Sequence, residues 1–476
     1  MSDLLLRDVV VEGRLVDVRV SQGIVTAIDR PLVPTPREDV VDGRRGALLP
    51  GLHDHHIHLV ALAAAEQAPW VGPPVVNDDG QFTAVLRQAD AALAGGEWLR
   101  AVGYHESVAG RLDRWRLDAL VGGRPVRVQH RTGAEWVLNT PALAAVGLDG
   151  IGPAADPVAD RPGVERDGDG HATGRLRGLD RWLRDSVPPL PAPDLAAVGR
   201  RLSRYGVTGV TDATPAPSAD DVVPVADAVA VGALPQRVTV MGGPRLAALE
   251  APSPLVRGPV KVVFADYAPP VHDDLVRWIR TAHEVGRPVA VHCVTRPGLT
   301  AALAAWDEAG AARGDRIEHG SVVPPDLRGR VAALGLTVVT QPGFVLERGD
   351  RYLLEVHPGD LPHLYPCRSL IEAGIPVGGG TDAPFGHPDP WRAIATAIER
   401  RTSEGAPLGV REAVSPERAL ALFLTAPEDP GGERRRVAVG TPADLCLLDG
   451  PLSRVLEDPA SSHVALTLHR GVPAAG

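Results

Sequence analysis

The middle of this 476-residue chain alternates short apolar runs with alanine-rich segments of helical periodicity, and this alternation limits the possible folds. Eight runs have the composition of buried β-strands, and several are followed by a helical segment. Eight strand-then-helix units are typical of an α/β protein with a (β/α)8 TIM-like barrel, which we predict here. The predicted barrel strands are residues 47–52, 207–213, 236–242, 259–265, 288–293, 315–319, 336–341 and 375–380.

Both ends of the chain differ from the middle, because they are rich in short strands separated by glycine. We predict that residues 1–50 and 430–476 together form a small composite β-sandwich domain. Residues 51–429 then form the barrel. A long segment at about residues 70–200 lies between the first two predicted strands, and we interpret it as an insertion after the first barrel strand.

Composition excludes several classes of protein. A net charge of −10 and a pI of about 5.9 give no basic footprint for nucleic acid. No apolar run approaches the roughly 20 residues needed to cross a bilayer, and the acidic start does not resemble a signal peptide. The cysteines are odd in number and widely spaced, which favours a reducing compartment. We therefore predict a cytoplasmic protein with no nucleic-acid or membrane partner.

Four histidines occupy six positions directly after Pro50-Gly51. In an extended segment, residues two apart point to the same side, so His56 and His58 can direct both imidazoles at one point. Imidazole is the commonest protein ligand for zinc-like metals. The alternative is a histidine cluster on a surface loop. We expect the neighbouring His53 and His55 to lie behind the metal ligands or at the surface.

A single lysine is the second unusual feature. Lys261 is the only lysine among 49 basic residues, so the other 48 (49 − 1) are arginine. Arginine cannot replace lysine where chemistry needs a primary amine, because the guanidinium stays protonated. Lys261 lies in an apolar run that predicts a buried strand, where its amine could form a Schiff base or a carbamate. Chance survival of one lysine is the alternative.

Several metal-binding side chains fall at the carboxyl ends of different predicted strands. The carboxyl ends of barrel strands meet around one axis, so these side chains should converge. Imidazoles, a carboxylate and a carbamate on Lys261 formed from CO2 could hold one or two divalent ions such as Zn²⁺. We predict that Asp382 is the catalytic base and then acid. The predicted metal ligands are His56, His58, Lys261, His292, His319 and Asp382.

These motifs resemble the amidohydrolase superfamily, in particular the branch typified by N-substituted formamide deformylase. The similarity extends over nearly the whole chain. The motifs that carry it lie at residues 50–59, 124–128, 136–143, 206–212, 260–266, 316–319 and 380–384. The resemblance implies a metal-dependent hydrolase of amide-type C–N bonds with a β-sandwich built from both termini.

Some positions depart from that branch. Ala134 stands where the branch usually has a histidine, and Tyr267 after Asp266 and residues 293–297 after His292 also differ from its pattern. The predicted metal ligands are present while the substrate-facing residues have changed, so we expect a different substrate. Tyr267 and Arg296 are the candidate substrate-binding residues. Arg296 could hold a substrate carboxylate, with a solvent-facing salt bridge as the alternative.

We predict a hydrolase that acts on carbon–nitrogen bonds other than peptide bonds. Its expected substrate is an N-formyl, N-acyl or cyclic amide of a small molecule. The alternatives are hydrolysis of an ester or lactone, deamination, a lyase acting through a Schiff base on Lys261, and a non-catalytic scaffold. The substrate, the number of metals and the oligomeric state, with a homodimer as one option, stay open.

Overall fold

The computed structural model describes residues 3–149, 161–188, 192–215, 220–244, 246, 254–264 and 271–474. The chain divides into two compact units. One unit contains Met1–Val60 and Leu195–Gly476, and the other is Ala61–Asp194.

The first unit begins with short strands. They are β1 (Asp3–Val11), β2 (Arg14–Ser21), β3 (Ile24–Asp29), β4 (Glu38–Asp42) and β5 (Leu48–Pro50). The first four form a sheet in the order β3-β2-β1-β4. The chain then crosses into β6 (Leu52–Ile57), the first strand of the barrel, every residue of which is buried.

The second unit contains a five-stranded sheet and short helices, joined to β6 through α1 (Leu59–Glu66). The sheet order is β10-β11-β9-β8-β7. The strands are β7 (Leu99–Tyr104), β8 (Val126–His130), β9 (Glu135–Leu138), β10 (Val164–Arg166) and β11 (Ala172–Arg177). The helices are α2 (Asp79–Ala92), α3 (Glu106–Ala109), α4 (Arg114–Leu120), α5 (Thr140–Ala145) and α6 (Asp180–Ser186).

Eight parallel strands form the barrel sheet, in the order β18-β17-β16-β15-β14-β13-β12-β6. After β6 these are β12 (Val207–Asp212), β13 (Arg237–Gly242), β14 (Val256–Val262), β15 (Val289–Cys293), β16 (Arg316–His319), β17 (Thr337–Thr340) and β18 (Val377–Gly379). The helices are α7 (Leu195–Arg204), α8 (Val223–Ala230), α9 (His272–Glu284), α10 (Arg296–Ala309), α11 (Pro325–Ala333), α12 (Gly343–Glu355), α13 (Arg368–Glu372), α14 (Pro390–Glu399) and α15 (Pro416–Ala421).

The segment after β18 closes the barrel against β6. The backbone N–H of Asp382 donates to the carbonyl of His56 at 2.7 Å, and the N–H of His58 donates to the carbonyl of Ala383 at 2.9 Å. The predicted α/β fold with an eight-stranded parallel barrel is therefore confirmed.

The C-terminal strands return to the first strands of the chain. These last elements are β19 (Thr425–Ala426), β20 (Asp429–Arg434), β21 (Leu445–Leu448), α16 (Leu452–Glu457), β22 (Val464–His469) and β23 (Val472–Pro473). A sheet in the order β23-β22-β21-β5 combines both ends, and side chains such as Val18 and Leu445 belong to one hydrophobic cluster. The composite β-sandwich domain and its bounds stay predictions.

The first predicted strand is misplaced by several residues. The apolar run at residues 47–52 does not enter the barrel as one strand, because Pro50-Gly51 divides it between two sheets. Leu49 pairs with Cys446 in the terminal sheet, whereas Leu52 pairs with Val207 of the barrel. His56 consequently lies inside the first barrel strand and not in a loop after it.

Among the described residues, none of the helices has the length and apolar character that a membrane crossing requires.

Burial of His469 contributes to the dependence of stability on pH. The ring Nε2 of His469 lies 2.8 Å from Ser203 Oγ, and burial lowers the pKa of His469 from 6.5 to about 4. Between pH 6.5 and pH 4 this histidine binds a proton more tightly in the unfolded chain than in the folded one, so the free energy of unfolding decreases as the pH drops. His469→Gln should remove roughly 3 kcal/mol of the stability difference between pH 7 and pH 4. Urea unfolding at both pH values measures it. The exposed His357→Gln is the control, and an equal pH dependence in both variants would contradict the assignment.

Candidate metal centre

The barrel brings the predicted ligands to the carboxyl edge of its sheet. The positions are within the last two residues of a strand or shortly after one. They are His56 and His58 at β6, Lys261 at β14, His292 at β15, His319 at β16 and Asp382 after β18.

Asp382 lies at the centre of this group. One carboxylate oxygen, Oδ1, is 3.1 Å from His58 Nε2 and 3.4 Å from His56 Nε2. The other, Oδ2, is 3.9 Å from His319 Nδ1. Donor atoms of His56, His319 and Asp382 all lie within 4.8 Å of one another. His292 joins the group through its ring, whose centroid is 4.4 Å from that of His319.

Three buried polar atoms of this group lack a hydrogen-bond partner within the part of the chain that the structure describes. They are His56 Nε2, Lys261 Nζ and Asp382 Oδ1; the 3.1 Å and 3.4 Å distances from Asp382 Oδ1 to the imidazoles lack hydrogen-bond geometry. A buried polar atom without a partner costs about 1–3 kcal/mol, so three in one place indicate that a bound group satisfies them. Imidazole nitrogens and carboxylate oxygens are the donors that zinc-like ions prefer, and this donor set fits a divalent ion.

The electrostatics keep the imidazoles in the form that binds metal. Burial and the charge of Lys261 lower the pKa of His292 to about 3. Burial is also the main reason why the pKa values of His56 and His319 lie well below 6.5. These rings are neutral at pH 7 and can donate a lone pair to a cation.

Burial also lowers the pKa of Lys261, against the opposing effect of Glu318 and Asp382. Burial therefore shifts Lys261 toward its neutral amine form. A positive charge on Lys261 is also among the causes that lower the pKa values of His56, His292 and His319.

Asp382 has an unfavourable backbone conformation, and hydrogen bonds to the buried Asp54 stabilise the loop that contains it. Asp382 has φ = +56° and His319 has φ = +70°, a left-handed conformation that costs a non-glycine residue roughly 1 kcal/mol or more. Asp54 accepts hydrogen bonds from the backbone N–H of His56 (3.1 Å) and Thr381 (3.0 Å). It also accepts from the Thr381 hydroxyl at 2.5 Å. Asp54 therefore connects the histidine strand to the Asp382 loop.

Residues that the sequence interpretation missed contact the far nitrogens of the histidines. The Nδ1 atom of His56 contacts Glu318, and that of His58 lies 3.1 Å from Thr214 Oγ1. The Nδ1 atom of His319 lies 2.8 Å from Gln341 Oε1. Only Glu318 could have been suspected from the sequence, because it directly precedes His319. His53 and His55 are buried and make their hydrogen bonds to threonine hydroxyls.

Close packing around His56 leaves no space for a side chain at Gly380. A Cβ atom at Gly380 would lie 2.5 Å from His56 Cβ and 2.9 Å from its backbone nitrogen. Gly380→Ala should cost roughly 1–3 kcal/mol of stability and weaken metal binding, because His56 must move. Gly329→Ala is the matched control, since its Cβ meets nothing within 4 Å inside helix α11. Urea unfolding and metal titration test both; unchanged metal affinity in Gly380→Ala would contradict the packing argument.

The two candidate substrate-binding residues stay predictions. Arg296 begins helix α10, and its side chain is 47% exposed and pairs with Asp326 at 2.8 Å. This contact is the solvent-facing salt bridge that we gave as the alternative to substrate binding by Arg296. Tyr267 lies outside the described residues.

A second histidine–carboxylate group lies in the other unit and has a different character. His105, Glu106 and His130 have ligand atoms within 4.8 Å of one another. The Nδ1 atoms of both rings accept backbone N–H groups, from Ser107 at 3.1 Å and Thr132 at 3.3 Å. Each Nδ1 is therefore an acceptor, and His130 Nε2 donates to Glu106 at 3.0 Å. This arrangement favours a hydrogen-bonded network over metal binding.

The sequence profile described as the amidohydrolase family matches residues 39–475. The chain belongs to the amidohydrolase family. This amidohydrolase is 25% identical over 473 residues to N-substituted formamide deformylase of Arthrobacter pascens, covering 87% of this chain and 85% of that protein. It is 26% identical over 480 residues to YtcJ of Bacillus subtilis (strain 168), covering 90% and 88%. The predicted resemblance is confirmed, and the chain is a hydrolase.

Solved structures share the fold of this amidohydrolase. An uncharacterized metal-dependent hydrolase from Pyrococcus horikoshii OT3 superposes with a TM-score of 0.70 at 18% identity, covering 97% of this chain and 100% of that one. A second, from Pyrococcus furiosus, gives a TM-score of 0.65 at 19% identity, covering 94% and 99%.

Proposed function

We propose that this amidohydrolase is a metal-dependent enzyme that cleaves an amide-type C–N bond, other than a peptide bond, in a small molecule. The observation that carries the proposal is the convergence of His56, His58, His319 and Asp382 at the carboxyl edge of the barrel, where buried polar atoms lack hydrogen-bond partners among the described residues. Similarity to N-substituted formamide deformylase supports an N-formyl, N-acyl or cyclic amide as the substrate.

His56, His58, His292, His319, Asp382 and a carbamate on Lys261 would hold one or two divalent ions, which we propose to be Zn²⁺. A divalent ion supplies a Lewis acid that activates water and polarises the scissile carbonyl. The carbamate forms when the neutral Lys261 amine adds CO2 and releases a proton. The result is an anionic ligand with two oxygens where the unmodified residue would present a cation.

Asp382 has the catalytic role in this scheme. Its carboxylate accepts a proton from the attacking water and returns it to the departing nitrogen, which leaves as a neutral amine. The left-handed backbone at Asp382 and the three hydrogen bonds to Asp54 fix the position from which the proton is transferred. Such prior positioning reduces the reorganisation that the reaction would otherwise require.

We further propose a cytoplasmic location and a small β-sandwich domain formed by both termini. Three free, buried cysteines and the shared hydrophobic cluster of the two terminal sheets support these two proposals. A homodimer stays one option for the assembly.

Metal content and a substrate screen test the proposal together. Purified protein should contain one or two divalent ions per chain, with more bound when bicarbonate is supplied. Metal-loaded protein should release amine from a library of N-formyl amines, N-acyl amines and cyclic amides, and chelation should abolish the release. Protein with no bound metal would contradict the proposal. Hydrolysis restricted to esters, or ammonia release from aminated rings, would assign it to another bond.

A further inference from the structure

A buried pair of charges lies directly behind His56. Glu318 and Arg316 are neighbours on strand β16, with side chains that are 0% and 1% exposed. Arg316 Nε donates to Glu318 Oε1 at 2.5 Å, while Glu318 Oε2 contacts His56 Nδ1. We propose that Glu318, held by Arg316, is a positioning residue that fixes the ring orientation and tautomer of His56 for metal binding. The inference rests on the proposed metal-dependent function.

Glu318 is unsuited to bind the metal itself. One of its carboxylate oxygens accepts from Arg316 and the other from His56, so both are engaged away from the centre. The carboxylate therefore acts through His56.

The contact selects one of the two neutral forms of the imidazole. A carboxylate accepts hydrogen bonds, so the His56 proton must be on Nδ1 and the lone pair on Nε2. Nε2 is the atom that faces Asp382 at 3.4 Å and has no hydrogen-bond partner among the described residues. Carboxylate–histidine pairs of this kind orient metal ligands and raise their basicity.

Two of the other predicted histidine ligands have a neutral neighbour where His56 has Glu318. The Nδ1 atom of His58 has a neutral neighbour, the hydroxyl of Thr214, and that of His319 has the neutral amide of Gln341. A charged acceptor strengthens a hydrogen bond by about a factor of two over a neutral one. Loss of Glu318 should therefore weaken metal binding more than loss of Thr214.

The test compares Glu318→Gln with Thr214→Val and with Glu412→Gln. Glu412 is a buried carboxylate that accepts from the backbone of Cys367 and Ser369, so it controls for loss of any buried charge. Competition with a chelator should show Zn²⁺ affinity reduced about 10–100-fold in Glu318→Gln, a smaller reduction in Thr214→Val, and none in Glu412→Gln. The visible spectrum of the Co²⁺-loaded protein should change in Glu318→Gln alone.

A measurement on the wild-type protein without metal keeps the inference testable if Glu318→Gln does not fold. In ¹⁵N-histidine NMR spectra, assigned with His56→Gln, the His56 ring should carry its proton on Nδ1. A proton on Nε2, or wild-type Zn²⁺ affinity in Glu318→Gln, would overturn the inference and leave the proposed function intact. A wild-type protein that binds no metal would overturn both.

Discussion

Asp382→Asn is expected to lower kcat by about 10²- to 10⁴-fold on whichever amide the screen identifies, because asparagine cannot accept and return the proton. Asparagine keeps the size of the side chain, and the backbone hydrogen bond to the His56 carbonyl does not involve it. The loss should therefore come from chemistry and not from unfolding. Steady-state kinetics at saturating metal measure it.

Asp382 is also a predicted ligand, so metal content must be measured on the same sample. If Asp382→Asn keeps its metal and loses activity, the proton-transfer role is supported. Asp307→Asn is the control, because this carboxylate is half exposed and pairs with Arg330 at the surface. Surface pairs contribute at most about 1 kcal/mol, so the control should behave like the wild type. More than a tenth of wild-type kcat in Asp382→Asn would refute the catalytic assignment.

The barrel could be predicted from the sequence because its signal is local. Each barrel strand is a short apolar run, and the helix after it has a different period, so neighbouring residues are enough to recognise both. Residues 289–293 and 316–319 illustrate this, since they lie inside predicted runs. The strand ends then follow from the fold, and with them the positions of His292 and His319.

Other features depend on contacts between distant parts of the chain. The run at 47–52 is divided because Leu49 pairs with Cys446, and no local pattern reveals that partner. Glu318 contacts His56 across 262 positions, and Asp54 contacts Thr381 across 327. A histidine motif predicts a ligand, but the residue that contacts the far side of that histidine can be identified only from the three-dimensional structure.

Lys261→Ala is expected to lose its bound metal, and its hydrolytic activity should fall by more than about 10³-fold. Without a metal, the attacking water keeps a pKa near 15.7 and is a poor nucleophile. A short carboxylic acid such as propionate should restore part of both by occupying the space of the carbamate. Metal analysis and amine release measure the two effects. Lys261→Met fills the same space without an amine, so it should be inactive and should not respond to the acid.

The arginine bias of the chain makes the carbamate directly observable. Lys261 is the only lysine, so a carbamate signal in ¹³C NMR after addition of ¹³C-bicarbonate can come only from its side chain or from the terminal amine. Lys261→Met removes the first source and leaves the second. We expect the signal in the metal-loaded wild type and its loss in Lys261→Met. An identical signal in both proteins, or metal retained in Lys261→Ala, would mean that Lys261 carries no carbamate and keeps its free amine. A Schiff base trapped by borohydride would then indicate that Lys261 reacts as a nucleophile.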